Sequence, residues 1–137
     1  MESAYLDSSV LIRLILDERN AFEEIRGYPT IYSSFLLRTE CLRVLHRLLV
    51  ERKISEASYS SACDDLFEAL RTVNMVEVSR TVLRRAEEPL PFALGTLDAL
   101  HLATARLLIE NQIQVVILTH DSALARTAAA LGLAVAG

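Results

Sequence analysis

The chain has 137 residues, about the length of one domain, and 52% of them are apolar, so it can bury a core and general disorder is excluded. Its formal net charge of −4 argues against a basic nucleic-acid coat protein, although acids gathered at a metal site would also lower the charge. No apolar run reaches the roughly 18 residues of a membrane span, and the start of the chain is unlike a secretory signal. The two cysteines have no metal-ligand spacing and indicate free thiols in a reducing compartment. We therefore expect a cytoplasmic protein with one domain over residues 1–137.

Short β-type runs alternate with helical patterns along the whole chain. Strands are predicted over 4–6, 30–32, 73–78, 114–118 and 133–135. Helices are predicted over 10–15, over 20–26, from a cap at Ser33 or Ser34 to about 52, from Ser55 to 72, from Ser79 to 89, from Thr96 to 111 and from Asp121 to 132. This alternation predicts a three-layer α/β/α sandwich around a mostly parallel central sheet of four to five strands.

Four acidic residues lie where strands end or helices begin. Asp7 directly follows the first strand, and Asp121 follows closely after the fourth. Asp98 lies in the first turn of a helix after a loop with two prolines and a glycine, and Glu40 lies early in the long helix after the second strand. Because ligands of parallel sheets bind beyond the carboxyl ends of the strands, we expect these acids to meet at one edge.

The surroundings of these acids favour a divalent cation as their partner. Asp98, for example, has Leu97, Ala99 and Leu100 as neighbours, and a buried carboxylate without a partner is costly. Few bases lie near the acids, and no His or Cys set has metal-ligand spacing. Carboxylate oxygens as the only ligands predict Mg²⁺ or Mn²⁺ rather than zinc.

Each acid also has an ordinary structural explanation. Asp7 and Asp121 can be helix N-caps, Asp98 can interact with a helix dipole, and Glu40 can pair with an arginine one turn away. His101, one turn after Asp98, can help to position a substrate or can be a hydrogen-bonded histidine near the core. Four acids in these positions together favour the metal site over four separate structural explanations.

Three stretches of the sequence resemble the motifs of PIN-domain nucleases. They are Tyr5-Leu6-Asp7-Ser8-Ser9-Val10-Leu11, Thr96-Leu97-Asp98-Ala99-Leu100-His101-Leu102-Ala103-Thr104-Ala105 and Leu118-Thr119-His120-Asp121-Ser122-Ala123-Leu124. The stretch from Ser33 to Glu40 matches the second acidic motif of the family more loosely. The resemblance spans the chain in the order and spacing of the family, implies a PIN-like fold over 1–137, and extends in size to the VapC toxins of bacterial toxin–antitoxin pairs.

The resemblance implies an acidic quartet that binds Mg²⁺ or Mn²⁺ and hydrolyses RNA. The quartet consists of Asp7, Glu40, Asp98 and Asp121. Ser9 and Thr119 match small hydroxyl positions that orient these acids. The assembly implied by the resemblance is a homodimer that an antitoxin protein neutralises.

Arginines near the acidic motifs are the candidates for contact with the RNA backbone. They are Arg13, Arg38 and Arg43. Two other functions stay open: a PIN nuclease of RNA processing or decay that has no antitoxin, and a catalytically silent module that binds a metal or RNA or uses a single Asp as a phosphoacceptor.

Overall fold

The computed structural model describes residues 2–16, 25 and 27–136. Within these ranges the strands are β1 (Ser3–Leu6), β2 (Ile31–Ser34), β3 (Val73–Val76), β4 (Val115–Leu118) and β5 (Val135–Ala136). The helices of the same ranges are α1 (Ser8–Leu16), α2 (Leu36–Val50), α3 (Glu56–Leu70), α4 (Arg80–Ala86), α5 (Thr96–Glu110) and α6 (Ser122–Ala130). No helix in the described part of the chain is both long and apolar enough to cross a membrane.

The five strands form one parallel sheet in the order β3-β2-β1-β4-β5. The chain moves outward from β1 through β2 to β3, and then crosses back to β4 and β5 on the other side of β1. Crossover connections between parallel strands are right-handed, so connections that run in opposite directions lie on opposite faces of the sheet. The predicted three-layer α/β/α sandwich around a parallel sheet is confirmed.

The alternation of side chains along β1 divides the core between the two faces of the sheet. Ala4 and Leu6 pack in the cluster that contains buried residues of α1, α2 and α3. Tyr5 points the other way and packs in the cluster built from α5 and α6. The short helix α4 packs beside α5 through Val82.

Three of the predicted helix caps are present in the structure. The hydroxyl of Ser55 accepts from the amide of Ser58, and the hydroxyl of Ser79 accepts from the amide of Val82. Asp121 caps α6 in the same way. Side-chain oxygens of this kind satisfy amides that have no partner within the helix.

The predicted N-cap position at Ser33 or Ser34 is wrong, since both serines belong to β2 and Phe35 is the N-cap of α2. The Ser34 hydroxyl nevertheless accepts from the amide of Leu36, the first residue of α2, at 3.2 Å. The Ser33 hydroxyl instead donates to the carbonyl oxygen of Leu6 at 2.7 Å, which ties β2 to β1. Thr96 is likewise the first residue of α5 rather than its cap, because Gly95 takes the N-cap position in an extended conformation without a side-chain bond.

The remaining differences are shifts of element ends. β3 stops at Val76 and β5 is Val135–Ala136, whereas the sequence predicted 73–78 and 133–135. The helix predicted over 20–26 falls on residues that, apart from Ile25, lie outside the described ranges. Both cysteines are free as predicted, and burial together with the charges of nearby acids raises the pKa of the Cys41 thiol to about 12.

Candidate active site

The centre of the sheet brings the ends of β1 and β4 together. Leu6 stands opposite Leu118 in the parallel pairing, and the amide of Asp7 donates to the carbonyl oxygen of Leu118 at 3.0 Å. The connections leave these two strands in opposite directions, and such a reversal opens a crevice at the carboxyl edge of a parallel sheet. Asp7 and Thr119 are the first residues beyond the two strands.

The carboxylate of Asp7 is held by two hydroxyl groups. Ser9 Oγ donates to Asp7 Oδ2 at 2.7 Å, and Thr119 Oγ1 donates to the same oxygen at 2.8 Å. Each hydroxyl in turn accepts a backbone amide, that of His120 at 2.9 Å on Ser9 and that of Asp121 at 3.0 Å on Thr119. Asp7 is only 3% exposed, so these bonds fix its rotamer and supply the partners that a buried carboxylate requires.

Asp121 combines a structural contact with a place in the site. Its Oδ1 accepts from the amide of Leu124 at 2.9 Å, which caps α6. The cap fixes the side chain beside the end of β4 and occupies one of its two oxygens. The structural explanation of Asp121 is therefore present, and it is compatible with a contribution of the other oxygen to the site.

Glu40 reaches the site from α2 and bonds to a histidine of α5. His101 Nε2 lies 2.5 Å from Glu40 Oε1, and His101 Nδ1 lies 2.7 Å from the hydroxyl oxygen of Tyr5. His101 is fully buried and the Glu40 side chain is 14% exposed. The alternative ion pair of Glu40 with Arg43 is not among the ion pairs of the described residues.

Burial and hydrogen bonding shift the pKa values of the linked side chains Tyr5 and His101. Burial by itself lowers the pKa of an imidazole, but the hydrogen bond to Glu40 and the negative charge of that carboxylate outweigh it, so the pKa of His101 lies above its ordinary value. Burial also raises the pKa of Tyr5, whose hydroxyl keeps its proton. Sequence reasoning placed His101 near the core and missed Glu40 as its partner. The available signal was Tyr5, a hydroxyl in a buried strand that needs a partner.

The charges of the other three acids affect the pKa of Asp98. Burial raises its pKa, and the charges of Asp121, Asp7 and Glu40 raise it further to about 6, against the opposing effect of His101. A carboxyl group whose pKa is raised by three other carboxylates lies within electrostatic range of all of them. The other three predicted acids thus lie near enough to Asp98 for their charges to act on it.

One oxygen of each hydrogen-bonded acid remains available. Within the described residues, Asp7 uses Oδ2, Asp121 uses Oδ1 and Glu40 uses Oε1 for the bonds above, while Oδ1, Oδ2 and Oε2 respectively have no hydrogen bond. Asp98 contributes a half-buried carboxyl group. An all-oxygen, highly negative donor set fits Mg²⁺ or Mn²⁺.

The carboxylate oxygens of the four acids do not surround a common point at which a metal ion could bind. Among the described residues, no group of three or more His, Cys, Asp or Glu side chains is arranged so that it could hold a metal ion as it stands. Binding a cation by these residues therefore requires movements of the side chains toward each other. The half-buried Asp98, which has no hydrogen bond in the described part of the chain, is the acid least restrained against such a movement.

The three predicted RNA-binding arginines are exposed and differ in their surroundings. Arg43 lines a groove of about 580 Å³ that also includes Ser8, Glu40 and Leu97 and so is continuous with the acids. The guanidinium of Arg38 lies 4.9 Å from the centroid of the Phe67 ring. Arg13 lies in the last turn of α1. Contact of all three arginines with RNA stays a prediction.

Comparison with known proteins places this site in a family context. A family model described as PIN domain matches residues 4–130, a range that includes all four acids. Ribonuclease VapC46 from Mycobacterium tuberculosis is 33% identical over 140 aligned positions, which cover 98% of this chain and 97% of that protein.

Three solved structures share the fold. A toxin-antitoxin complex from Klebsiella pneumoniae contains a chain with a TM-score of 0.68 and 21% identity, over 98% of this chain and 97% of that one. VapBC2 from Rickettsia felis, bound to a DNA fragment from its promoter, gives 0.65 and 15%, over 97% and 96%. PAE2754 from Pyrobaculum aerophilum gives 0.57 and 17%, over 92% and 84%.

Proposed function

Because the chain belongs to the PIN-domain family, we propose that it is an endoribonuclease that depends on Mg²⁺ or Mn²⁺ and hydrolyses phosphodiester bonds of RNA. The observation that carries the proposal is the position of Asp7 and Asp121 just beyond β1 and β4, at the switch point of the sheet, together with the charges of Asp121, Asp7 and Glu40 that act on Asp98. The name of the 33% identical relative, a ribonuclease, supports the same substrate class.

The residues that would hold the cation are the four acids through their available oxygens. A divalent ion there would acidify a bound water and offset the charge that develops on the phosphate. The contribution of the protein is orientation: Ser9 and Thr119 fix Asp7, and the cap of α6 fixes Asp121. Asp98, with a pKa near 6, is ionised at neutral pH and so is available as a ligand.

The groove along α2 is the proposed path of the RNA strand away from the acids. Arg43 and Arg47 line it one turn apart, beyond Glu40. Two cations at this spacing suit phosphates of a strand whose scissile bond lies at the acids. Unpaired RNA fits a shallow groove of this kind, because its backbone bends more easily than that of a duplex.

The test of the ribonuclease proposal is cleavage of unpaired RNA by the purified chain with and without metal. Wild type is expected to cleave with Mg²⁺ or Mn²⁺ and to stop in EDTA. Asp7→Asn is expected to lose about 100- to 1000-fold in kcat, since a metal contributes several kcal/mol and each 1.36 kcal/mol is tenfold. Asp64→Asn, an exposed acid on α3, is the matched control. Equal rates for wild type and Asp7→Asn would refute the proposal.

We further propose that the nuclease is the toxin of a toxin–antitoxin pair and forms a homodimer that an antitoxin protein inactivates. The names of the structures from Klebsiella pneumoniae and Rickettsia felis, both toxin–antitoxin assemblies, support the pairing with an antitoxin. Expression of the chain alone is expected to arrest growth, and co-expression of a small adjacent gene product is expected to restore it. Growth arrest that no neighbouring product relieves would favour a PIN nuclease of RNA processing or decay instead.

A catalytically silent metal-binding module is the alternative from another functional class. It predicts Mn²⁺ binding that depends on Asp98 without any metal-dependent cleavage of RNA. The same preparations distinguish the two, since the proposed enzyme binds Mn²⁺ and also cleaves.

A further inference from the structure

His101 is a buried polar side chain whose two ring nitrogens are both engaged. It is 0% exposed on α5, between the hydroxyl of Tyr5 on β1 and the carboxylate of Glu40 on α2. The Tyr5 and His101 rings meet edge to face, with centroids 5.7 Å apart and planes at 72°. An imidazole held at both nitrogens and against a ring has one orientation available.

The hydrogen-bond directions follow from the chemistry of the groups. A carboxylate oxygen only accepts, so His101 Nε2 carries a proton and donates to Glu40 Oε1. His101 Nδ1 then accepts from Tyr5 when the imidazole is neutral and donates to Tyr5 when it is charged. The bond to Glu40 is therefore kept in both protonation states.

This bond determines which oxygen of Glu40 is available to the site. The long side chain of a glutamate has three rotatable bonds and costs conformational entropy when it is fixed. The contact with His101 fixes it through a bond to Oε1, so that Oε2 is the oxygen without a hydrogen bond in the described part of the chain. Ser9 and Thr119 do the same for Asp7 by occupying Oδ2 and leaving Oδ1.

We infer that His101, held by Tyr5, is a positioning residue that orients Glu40 so that Oε2, the oxygen not bonded to His101, is presented to the divalent cation. The inference rests on the proposed metal-dependent function, although its main readout is metal binding rather than RNA cleavage. Outer partners of metal ligands typically contribute about 10- to 100-fold in metal affinity or activity.

A purely structural explanation makes a different prediction. If the His101–Glu40 bond only joined α2 to α5, its loss would lower the melting temperature and leave the affinity for metal unchanged. Metal affinity is therefore the readout that separates positioning from packing.

The experiment titrates Mn²⁺ into the full chain and its variants at fixed pH, with EPR of free Mn²⁺ as the signal. His101→Phe removes both bonds and is expected to raise the Kd for Mn²⁺ by about 10- to 100-fold. His101→Gln keeps an N–H donor for Glu40 and is expected to recover part of that loss. Tyr5→Phe removes only the hydroxyl that holds the imidazole, so a smaller increase of a few-fold is expected.

The matched control is Thr127→Val on α6. Thr127 is also fully buried, and its hydroxyl donates to the carbonyl oxygen of Ala123 at 2.8 Å, away from Glu40. Its loss is expected to lower the melting temperature while the Kd for Mn²⁺ stays at the wild-type value. If His101→Phe does not fold, the graded series of His101→Gln and Tyr5→Phe against this control decides the question.

The outcomes separate this inference from the proposed function. Wild-type Mn²⁺ affinity in His101→Phe, or in both milder variants, would overturn the positioning of Glu40 by His101 even if RNA is cleaved. Weakened Mn²⁺ binding in the variants of a chain that cleaves no RNA would refute the ribonuclease and leave the positioning intact. In an active enzyme, the variants are expected to lower kcat at saturating RNA with little change in KM, because the groove arginines are untouched.

Discussion

Asp7 and Asp121 follow two neighbouring strands of the sheet, whereas Glu40 and Asp98 sit on two helices that pack from its opposite faces. The strand half of the site is held by hydroxyls and amides of residues within three positions of the two acids. Among the described residues, the side-chain hydrogen bond that holds an acid of the helix half runs from His101 to Glu40, which lie 61 positions apart. The strand half is therefore fixed by several hydrogen bonds, one of which joins the ends of two neighbouring strands, from Thr119 to Asp7, whereas the helix half depends on how the helices pack.

As a consequence of this difference, we expect Asp7 and Asp98 to play different parts in binding the cation. Asp7, at 3% exposure with two hydroxyl donors, is in place before any cation arrives. Asp98, half-buried and without a hydrogen bond in the described part of the chain, is the adjustable member. A fixed carboxylate on one side and a movable one on the other suit a site that must close around an ion.

The largest effect that tests the difference between the halves is expected from the double variant Ser9→Ala/Thr119→Val. It removes both donors from Asp7 Oδ2, so the carboxylate loses its fixed orientation and its partners while it stays buried. We expect metal-dependent RNA cleavage to fall by about 100-fold, at the upper end of the range for groups that orient metal ligands. Steady-state cleavage rates in Mn²⁺ provide the measurement.

Thr119→Ser is the matched control, because it keeps the hydroxyl that donates to Asp7. It is expected to retain activity within a few-fold of wild type. Full activity in the double variant would show that the strand half does not need its hydroxyls, and the distinction between the two halves would fail.

Features that depend on neighbouring residues could be predicted from the sequence, whereas contacts between distant residues could not. The parallel sheet, its helices and the three caps at Ser55, Ser79 and Asp121 follow from local patterns of apolar residues and hydroxyl or carboxyl side chains. The caps proposed at Ser33 and Ser34 failed because the pattern of a cap does not reveal that β2 extends through both residues.

At the site, too, prediction from the sequence stops where contacts between distant residues begin. Ser9 lies two residues after Asp7 and Thr119 two before Asp121, so both hydroxyls belong to short motifs, although the bond of Thr119 to Asp7 joins residues 112 positions apart. The bond between Glu40 and His101 depends on how α2 and α5 meet across the edge of the sheet, and no spacing in the sequence contains that information. Tyr5 points to the opposite face of the sheet from Ala4 and Leu6. Its hydroxyl is buried on that face, and this is the local sign in the sequence of a polar contact near Glu40 and His101.

A smaller effect is expected from pH and concerns the adjustable half. The pKa of Asp98 is about 6, so below that pH the carboxyl is protonated and a cation must displace the proton. The Kd for Mn²⁺ is expected to rise about tenfold for each pH unit below 6 and to level off above it. Asp98→Asn should bind more weakly at pH 7.5 and should lack this dependence around pH 6. A wild-type Kd that stays constant between pH 7 and pH 5 would contradict the account of Asp98.

The smallest effect concerns the groove beyond the helix half. Arg43→Ala removes one cation from the wall that continues from Glu40, so KM for unpaired RNA should rise several-fold with kcat unchanged. The slope of log affinity against log salt should decrease by about 0.7, the value for one phosphate of a single strand that the protein no longer neutralises. Arg71→Ala, whose exposed guanidinium pairs with Glu68, is the control and should leave both quantities unchanged. Equal shifts in the two variants would indicate a general charge effect instead of a path for RNA.

The most direct test of the central claim is a crystal structure of the protein with Mn²⁺, with the ion located by its anomalous signal. We expect a peak bonded to Asp7 Oδ1, Glu40 Oε2, Asp98 and Asp121 Oδ2, with Asp7 Oδ2 still bonded to Ser9 and Thr119 and Glu40 Oε1 still bonded to His101. A peak elsewhere, or an ion that takes Asp7 Oδ2 and displaces the two hydroxyls, would contradict this expectation.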